Sequence, residues 1–494
     1  MCEIADMTRR DFLKEGAAFA AMGGRRGFLK CALAAGAFPH LAFTAPEGGA
    51  DLRIGILADL HLHDDAGTTR KLERALRFFR EARVDGVLVC GDIAHNGLVP
   101  QLEEFAAAWQ MVFPGDCGLD GMHVEKLFHY GDHDTGGKCH FRGDGTAEKL
   151  MEHYGCTRAR LDGMAIAPRR RETWERLFGE PWAPVMHKRV KGYDFVLSQY
   201  TAEGHNSAFG LGDFLKGFNP DPRKPFFYSQ HRVLRNTACG SGAWGQDNGS
   251  AKAMLSRHPN CCAFFGHAHQ SAIREDAIWQ GAFTAVQVPS LSCVTQEPGH
   301  ANKPNGWMAE QGMVLSVYGD RMVIQRMDFA NRKPLGPAWE LLPSSGGMPF
   351  AHETRRRAAV RPEFPAGATL SAKMEERGKD GDLHRSLTLE FPIVNGIGGG
   401  VRAYDYEVAV DAICFGGNAQ RGVKRYFSPK CHFAPSADTG TMTVTYGLDE
   451  FKAWNSLKSR NWGALHVAVR PRETFGGVGR ALEADVKAAE RIGT

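Results

Sequence analysis

Carboxylates and imidazoles recur along the chain in a set that could hold metal ions: Asp59 and His61 two apart, Asp92, Asp132-His133-Asp134, a separate His231, and His267 with His269. Mixed oxygen and nitrogen donors of this kind suit Zn, Mn or Fe, and a carboxylate placed centrally can bridge two cations about 3.5–4 Å apart. A lone histidine is ordinarily a core or surface residue. The joint placement carries the reading, because each member of the set lies at or just beyond the end of a short apolar run.

Those runs must position the donors. Residues 52–58 form an apolar stretch of strand length ending at Asp59, residues 87–90 stop at Gly91-Asp92, and residues 127–130 stop at Gly131-Asp132. Leu72, Ala75, Leu76 and Phe79 recur at helical spacing after the first strand, with Thr68 or Thr69 as the expected cap, and residues 102–112 predict the next helix. Further strands are predicted at 193–198, at 225–229 just before His231, and at 261–265 just before Gly266-His267. Residues 313–318 and 322–326, separated by Gly319-Asp320, predict a hairpin. In open α/β sheets the loops beyond the carboxyl ends of strands converge, so these donors can meet. Residues 143–184 read as an insertion with helical pieces, expected to form part of a substrate wall.

At 494 residues the chain exceeds one ordinary core and predicts about two or three folded units. A content of 43% hydrophobic and 23% charged residues excludes a disordered chain and a multi-span membrane protein. The net charge is only +4 and the basic residues are scattered, so no nucleic-acid partner is expected. Thr8-Arg9-Arg10-Asp11-Phe12-Leu13-Lys14 resembles a twin-arginine export signal, and Arg25-Arg26-Gly27-Phe28-Leu29-Lys30 repeats it before an apolar stretch, 31–38, too short to span a bilayer. Residues 1–50 are thus expected to be a leader read by the twin-arginine export machinery, giving a periplasmic or extracellular protein with no stable membrane span when mature. Twelve cysteines fall irregularly, without paired Cys-x-x-Cys knuckles for structural zinc, and predict no disulfide connectivity. The divisions expected are a catalytic domain at 51–330, a Pro-, Gly- and Arg-rich linker at 331–366 that includes Pro343-Ser344-Ser345-Gly346-Gly347, and a small β-sandwich at 367–494. Alternating runs at 386–391, 405–411, 441–446 and 464–469 predict that sandwich.

Taken in order, Asp59-Leu60-His61, Gly91-Asp92, Gly131-Asp132-His133-Asp134, His231 and Gly266-His267-Ala268-His269 resemble the signature of the calcineurin-like metallophosphoesterases, over residues 52–328. The resemblance implies a four-layer α/β/β/α sandwich followed by the small all-β domain, and a cofactor of two divalent or trivalent metal ions, Mn, Fe or Zn. It implies that Asp59, His61, Asp92 and His269 bind one ion and that Asp92, Asp132, His231 and His267 bind the other, with Asp92 as the bridge. His133 is then placed to protonate the leaving oxygen during in-line attack of an activated water on phosphorus. The C-terminal unit resembles the fibronectin-III-like domain of some exported bacterial members, with Tyr426-Phe427-Ser428-Pro429 and Val469-Arg470-Pro471 in similar contexts. The expected activity is hydrolysis of small phosphomonoesters or phosphodiesters. The alternatives are a nucleotide or nucleotide-sugar pyrophosphohydrolase, and a weakened, non-catalytic exported protein that binds metal or ligand.

Two positions depart from the family pattern. Asp132 stands where the family has a metal-binding Asn, and His95 stands where many members have a carboxylate that orients the catalytic histidine. Of the remaining histidines, His63, His95 and His205 are within reach of the site, with solvated loop positions an equal expectation for His63 and His205, and His129 and His140 carry no assigned role. Phe226-Phe227-Tyr228 reads as a core strand, and the arginines at 169–171 as a solvated face.

Overall fold

The computed structural model describes residues 49–136, 146–201, 209–240, 244–295, 299–302, 305–319, 321–341, 350–377, 384–395, 401–414, 419–428, 440–448 and 462–487. The two Arg-Arg motifs, His140, His205, Pro429 and the run from Pro343 to Gly347 lie outside the described residues. Among the described residues no helix is long and apolar enough to cross a membrane.

Thirteen strands build two sheets: β1 (Leu52–Leu57), β2 (Gly86–Cys90), β3 (Glu125–His129), β4 (Val185–Val190), β5 (Tyr193–Ser198), β6 (Phe226–Ser229), β7 (Cys261–Phe265), β8 (Ile278–Gln280), β9 (Thr284–Gln287), β10 (Gln311–Tyr318), β11 (Arg321–Asp328), β12 (Lys333–Pro334) and β13 (Trp339–Leu341). The first sheet runs β12-β11-β10-β1-β2-β3, with β13 also on β11, and the second runs β4-β5-β6-β7-β9-β8. Strands β1, β2 and β3 are parallel, as are β5, β6, β7 and β9, so their carboxyl ends lie on one side of each sheet. The expected hairpin is β10 and β11.

The second sheet shows why its strands read as unbroken apolar runs. Phe195, Leu197, Phe227, Cys262 and Phe264 face a core shared with the first sheet. Their neighbours Val196, Phe226, Tyr228, Cys261, Ala263 and Phe265 face a second core. Both faces of a mostly parallel sheet are covered, so alternation of side yields no alternation of polarity.

Helices close the outer faces. Helix α1 (Ala66–Glu81) lays Leu72, Ala75, Leu76 and Phe79 on the first sheet. Its cap is Asp65, not Thr68 or Thr69: the Asp65 carboxylate accepts from the backbone N–H of Gly67 and Thr68, while both threonines lie inside the first turn. Helix α2 (Val99–Val112) begins before the expected residue 102 because Pro100 sits in its first turn, where a missing N–H carries no penalty. After α3 (Asp132–Gly136), the insertion supplies α4 (Thr146–Tyr154), α5 (Arg158–Gly163) and α6 (Arg170–Phe178). It borders the loop after β2 through the Leu98 and Ala165 bridge and through Ile166 N–H donating to Gly97 O at 2.9 Å. Helices α7 (Leu211–Gly217) and α8 (Ser250–Leu255) place Leu211, Ala251 and Leu255 against the second core. The order is helix, sheet, sheet, helix.

The stretch expected as a linker is packed where it is described. Strands β12 and β13 extend the first sheet through β11, and helix α9 (His352–Ala358) follows. Trp339 is buried and donates to Glu275 Oε2 at 3.1 Å, Arg355 pairs with Glu275, and His352 Nε2 donates to the Asp276 carbonyl at 3.0 Å. Beyond it, β14 (Ser371–Arg377), β15 (His384–Pro392), β16 (Asp405–Cys414), β17 (Ala419–Phe427), β18 (Thr441–Gly447), β19 (Trp462–Arg472) and β20 (Leu482–Lys487) form two antiparallel sheets, β14-β15-β18 and β17-β16-β19-β20. Leu387, Leu389 and Phe391 from one sheet share a core with Tyr406, Val408 and Val410 from the other. Cys90, Cys261 and Cys262 are buried free thiols, and Cys117, Cys156, Cys239 and Cys293 are free and partly exposed.

The sheets formed by β14 to β20 are joined to the preceding α/β part by a buried polar contact. His300 Nε2 lies 2.8 Å from Asp405 Oδ2, with both side chains 1% exposed, and the His300 ring stacks on Phe427 at 3.5 Å. Asn302 exchanges two 2.7 Å hydrogen bonds with the backbone of Phe427, and Ala272, Ile273, Leu335, Tyr404 and Phe427 form an apolar cluster beside them. Removing one member of such a pair leaves the other desolvated and unpaired. Asp405→Ala is therefore expected to destabilise the protein by about 3 kcal/mol, read as a lower melting temperature, whereas Asp485→Ala, at an exposed ion pair, leaves melting essentially unchanged.

Candidate metal centre

The donors meet because the loops beyond the strands are laced to one another. Asp59 N–H donates to Gly91 O at 3.1 Å, His61 N–H to Asp92 O at 3.0 Å, and Leu62 N–H to Ile93 O at 2.9 Å, so the chain after β1 runs beside the chain after β2. Asp134 ties in the loop after β3, its carboxylate accepting from the N–H groups of Ile93, Ala94 and Gly131 at 3.2, 2.7 and 2.7 Å. Burial and the neighbouring Asp92 charge push the Asp134 carboxyl up to about 7 even so. The second sheet joins through His267 N–H, which lies 3.0 Å from each oxygen of Asp59.

Five of the donors adopt left-handed backbone: Asp59 at φ 52°, His61 at 45°, Asp92 at 52°, His267 at 70° and His269 at 51°. Side chains disfavour this region by roughly 1–3 kcal/mol per residue, so the surrounding structure holds a concentrated strain at one place. Two glycines let the loops approach. Gly91 has φ 81°, and a Cβ there would sit 2.7 Å from His231 Nδ1; a Cβ on Gly131 would collide with Asp92 Oδ1.

The result is two clusters with one shared member. Asp59, His61, Asp92 and His269 offer donor atoms within 4.8 Å of one another, and so do Asp92, Asp132, His231 and His267. Asp92 Oδ2 is the hinge between them, 3.7 Å from His61 Nε2 and 3.2 Å from His231 Nε2. His61 and His269 turn their Nε2 atoms toward each other at 2.9 Å, and His231 Nε2 faces His267 Nδ1 at 3.1 Å. Asp59, His61, Asp92, His231 and His267 are buried.

Cations fit this donor set. Asp132 Oδ1 is buried, 2.8 Å from His231 Nε2 and 3.1 Å from His267 Nδ1, yet none of its contacts among the described residues has hydrogen-bond geometry. His231 Nδ1 faces the Cys90 carbonyl at 2.8 Å, and because a carbonyl only accepts, the ring proton sits on Nδ1 and the Nε2 lone pair points at the cluster. Burial works against ionising these carboxyls. For Asp132, burial opposes the charge, but the imidazoles of His231 and His267 close beside it outweigh burial and hold the carboxyl well below the usual range. Three carboxylates enclosed this closely call for positive charge among them.

His133 stands beside the clusters, its ring 4.5 Å from that of His61 and nearly perpendicular to it. Its N–H donates to Asp92 Oδ1 at 2.9 Å, and its Nδ1 donates to the His95 backbone carbonyl at 2.7 Å. A backbone carbonyl thus orients the imidazole, and the His95 side chain takes no part in it. The His95 ring serves a different neighbour, with Nδ1 3.3 Å from His61 Nδ1, and it stacks on His63 at 3.9 Å. Of the two positions open to His63, the structure shows the one beside the centre. His129 lies buried behind the site, bonded to Ser229 Oγ at 2.8 Å. Arg170 and Arg171 lie over the Trp182 ring at 5.4 and 5.5 Å, and Arg169 is exposed.

Several supporting residues carried no motif. Ser290 Oγ donates to Asp59 O at 2.9 Å, Thr295 N–H donates to His269 O at 2.8 Å, and Cys293 Sγ lies 3.3 Å from His269 Nδ1. Trp244 stacks on His267. The buried strand β9 ahead of Ser290 is the one local signal that would have drawn attention to the first three, by the same strand-end logic that located the aspartates.

Residues 52–271 match the family model described as calcineurin-like phosphoesterase. No curated protein matches the chain. Among solved structures, a dimetal phosphatase from Danio rerio is similar at 13% identity, covering 60% of this chain and 100% of that one with a TM-score of 0.34. A predicted phosphoesterase from Streptococcus pneumoniae, at 10% identity, covers 59% of this chain and 97% of that one with a TM-score of 0.26. Vacuolar protein sorting 29 from Cryptosporidium parvum, also at 10% identity, covers 59% and 98% with a TM-score of 0.28. The residues matched by the calcineurin-like phosphoesterase model include every donor of the two clusters, so the family match and the clusters coincide on the same strand ends.

Proposed function

We propose that the chain is an exported, metal-dependent hydrolase of phosphomonoesters or phosphodiesters that works with two cations drawn from Mn, Fe or Zn. The observation that supports this most directly is the pair of donor clusters sharing Asp92 within a calcineurin-like phosphoesterase domain. On this reading Asp59, His61, Asp92 and His269 ligate one cation, and Asp92, Asp132, His231 and His267 the other. Bound cations supply an attacking water at neutral pH and neutralise the phosphoryl oxygens.

The chain's own groups do the rest. Asp92, held by the His133 N–H, fixes the spacing of the two positions. His133 keeps its Nδ1–H on the His95 carbonyl and turns Nε2 to the leaving oxygen, to which its imidazolium form gives the Nε2 proton, returning to the neutral ring. His95 Nδ1 accepts from His61 Nδ1, which keeps the His61 Nε2 lone pair on the cation side. Asp132, in place of Asn, adds a third carboxylate and favours a harder or more highly charged cation at that position.

Two features outside the centre support the remainder of the proposal. The doubled Arg-Arg-x-Phe-Leu-Lys segments favour export through the twin-arginine machinery. The arrangement of β14-β15-β18 against β17-β16-β19-β20 favours a fibronectin-III-like identity for the C-terminal sheets.

Purified protein stripped with a chelator and reloaded with Mn, Fe or Zn is expected to bind two ions and hydrolyse bis(p-nitrophenyl) phosphate or p-nitrophenyl phosphate. Fewer than two ions and no turnover of either would favour the non-catalytic reading. Asp92→Asn is expected to lower turnover by on the order of 10³-fold or more, because several kcal/mol of transition-state stabilisation rest on the paired cations. His133→Gln should retain both ions and lose roughly 10²–10⁴-fold in kcat, with the deficit smallest for the better leaving group. Gly131→Ala keeps every donor but displaces Asp92, so metal content measured by elemental analysis should fall below two; an unchanged stoichiometry would remove Asp92 from the bridging role.

A further inference from the structure

Tryptophan is distributed unevenly over this protein. Trp109, Trp174, Trp182 and Trp339 are buried, whereas Trp244 and Trp307 are 67% and 50% exposed. Both exposed indoles touch histidines of the candidate centre. Trp244 lies parallel to His267, 4.8 Å between ring centroids and 13° between planes. Trp307 lies 6.0 Å from His63, whose other face stacks on His95.

Each indole is mounted on an anchored segment. Behind Trp244, Gly245 presses against His267 so closely that a Cβ there would overlap the ring, and Asp247, 5% exposed, accepts from Arg235 N–H at 3.0 Å and from Gln230 Nε2 at 3.2 Å. Behind Trp307, Lys71 Nζ donates to the Trp307 carbonyl and, at 2.6 and 3.1 Å, to those of Ser292 and Ala309. Large apolar rings fixed in solvent forgo the burial that places most tryptophans inside, and here one lies on a donor histidine and the other beside the His63 and His95 stack.

Building on the phosphoesterase reading, we propose that Trp244 and Trp307 are the substrate platforms of this site, and that it prefers phosphate esters carrying a planar aromatic or heteroaromatic group, stacked on Trp244. His267 backs one face of the indole, leaving the opposite face for the substrate ring. In a diester, the second arm reaches past His95 and His63 toward Trp307. The recognised feature is a π face one ester link from phosphorus, which any aryl or nucleoside group supplies.

The test compares phenyl phosphate with glycerol 3-phosphate on the full, metal-reloaded chain. Trp244→Ala should raise KM for phenyl phosphate about tenfold, the size expected for one lost aromatic stack, with KM for glycerol 3-phosphate and inhibition by inorganic phosphate unchanged. Trp244→Phe should restore most of the loss, and Trp307→Ala should affect diesters more than monoesters. Equal shifts for both substrates, or a changed phosphate inhibition constant, would make Trp244 a structural support of His267 and overturn the proposal. If the reloaded protein hydrolyses neither compound, the phosphoesterase reading fails by itself. Quenching of tryptophan fluorescence by phenyl phosphate, lost in Trp244→Ala, would then still sustain the platform, and absence of quenching would end it.

Discussion

The structure depends on enclosing three carboxylates, Asp59, Asp92 and Asp132, within a few ångströms of one another at the meeting point of two sheets. In water such groups would keep apart. Here backbone N–H groups from His133 and His267 are aimed at two of them, and imidazoles face all three. Parallel strands gather their carboxyl ends on one side, left-handed residues turn the donors inward, and glycines at 91 and 131 allow two loops to pass at backbone distance. The geometry is sustained by a fold rigid enough to hold strain and like charge together, and it becomes favourable once cations share the space.

The parts of this arrangement that were legible in the sequence share a physical reason. Asp59, Asp92 and Asp132 each follow a run that is apolar on both faces, so composition changes abruptly where strand gives way to loop, and that step marks the donor. Strands β4 and β8 lacked such a step: β4 mixes His, Lys and Arg along a partly exposed edge, and β8 is three residues long. The helix cap went to Asp65 because a carboxylate just outside the helix outcompetes hydroxyls already inside the first turn. The stretch after residue 331 looked like a linker because its polar and Pro-rich composition conceals Trp339 and the Glu275 contacts, which are tertiary and have no local period. The role of Trp244 was equally hidden, since an isolated tryptophan in a glycine-rich segment does not reveal what lies beneath it.

The two departures from the family pattern have unequal structural consequences. At His95 the orienting function has moved from a side chain to a backbone carbonyl, which bonds His133 Nδ1 whatever the side chain is. The freed ring turns to His61 and His63 and extends the line of imidazoles out from the centre. At Asp132 the change acts on the centre itself, replacing a neutral donor by an anionic one beside His231 and His267. The first alters which groups a substrate meets, and the second alters what charge the centre must hold.

The buried contact between His300 and Asp405 has a consequence in time as well as in space. Its partners are 105 residues apart in the chain, and the loop bearing His300 also bears Cys293 and Thr295, which brace His269, and Trp307 at the approach. During synthesis the strands of the first two sheets are complete well before Asp405 and Phe427 emerge, so that loop acquires its buried partners only when the later sheets have formed. The segment that braces His269 is thereby settled later than the strands that carry the other donors.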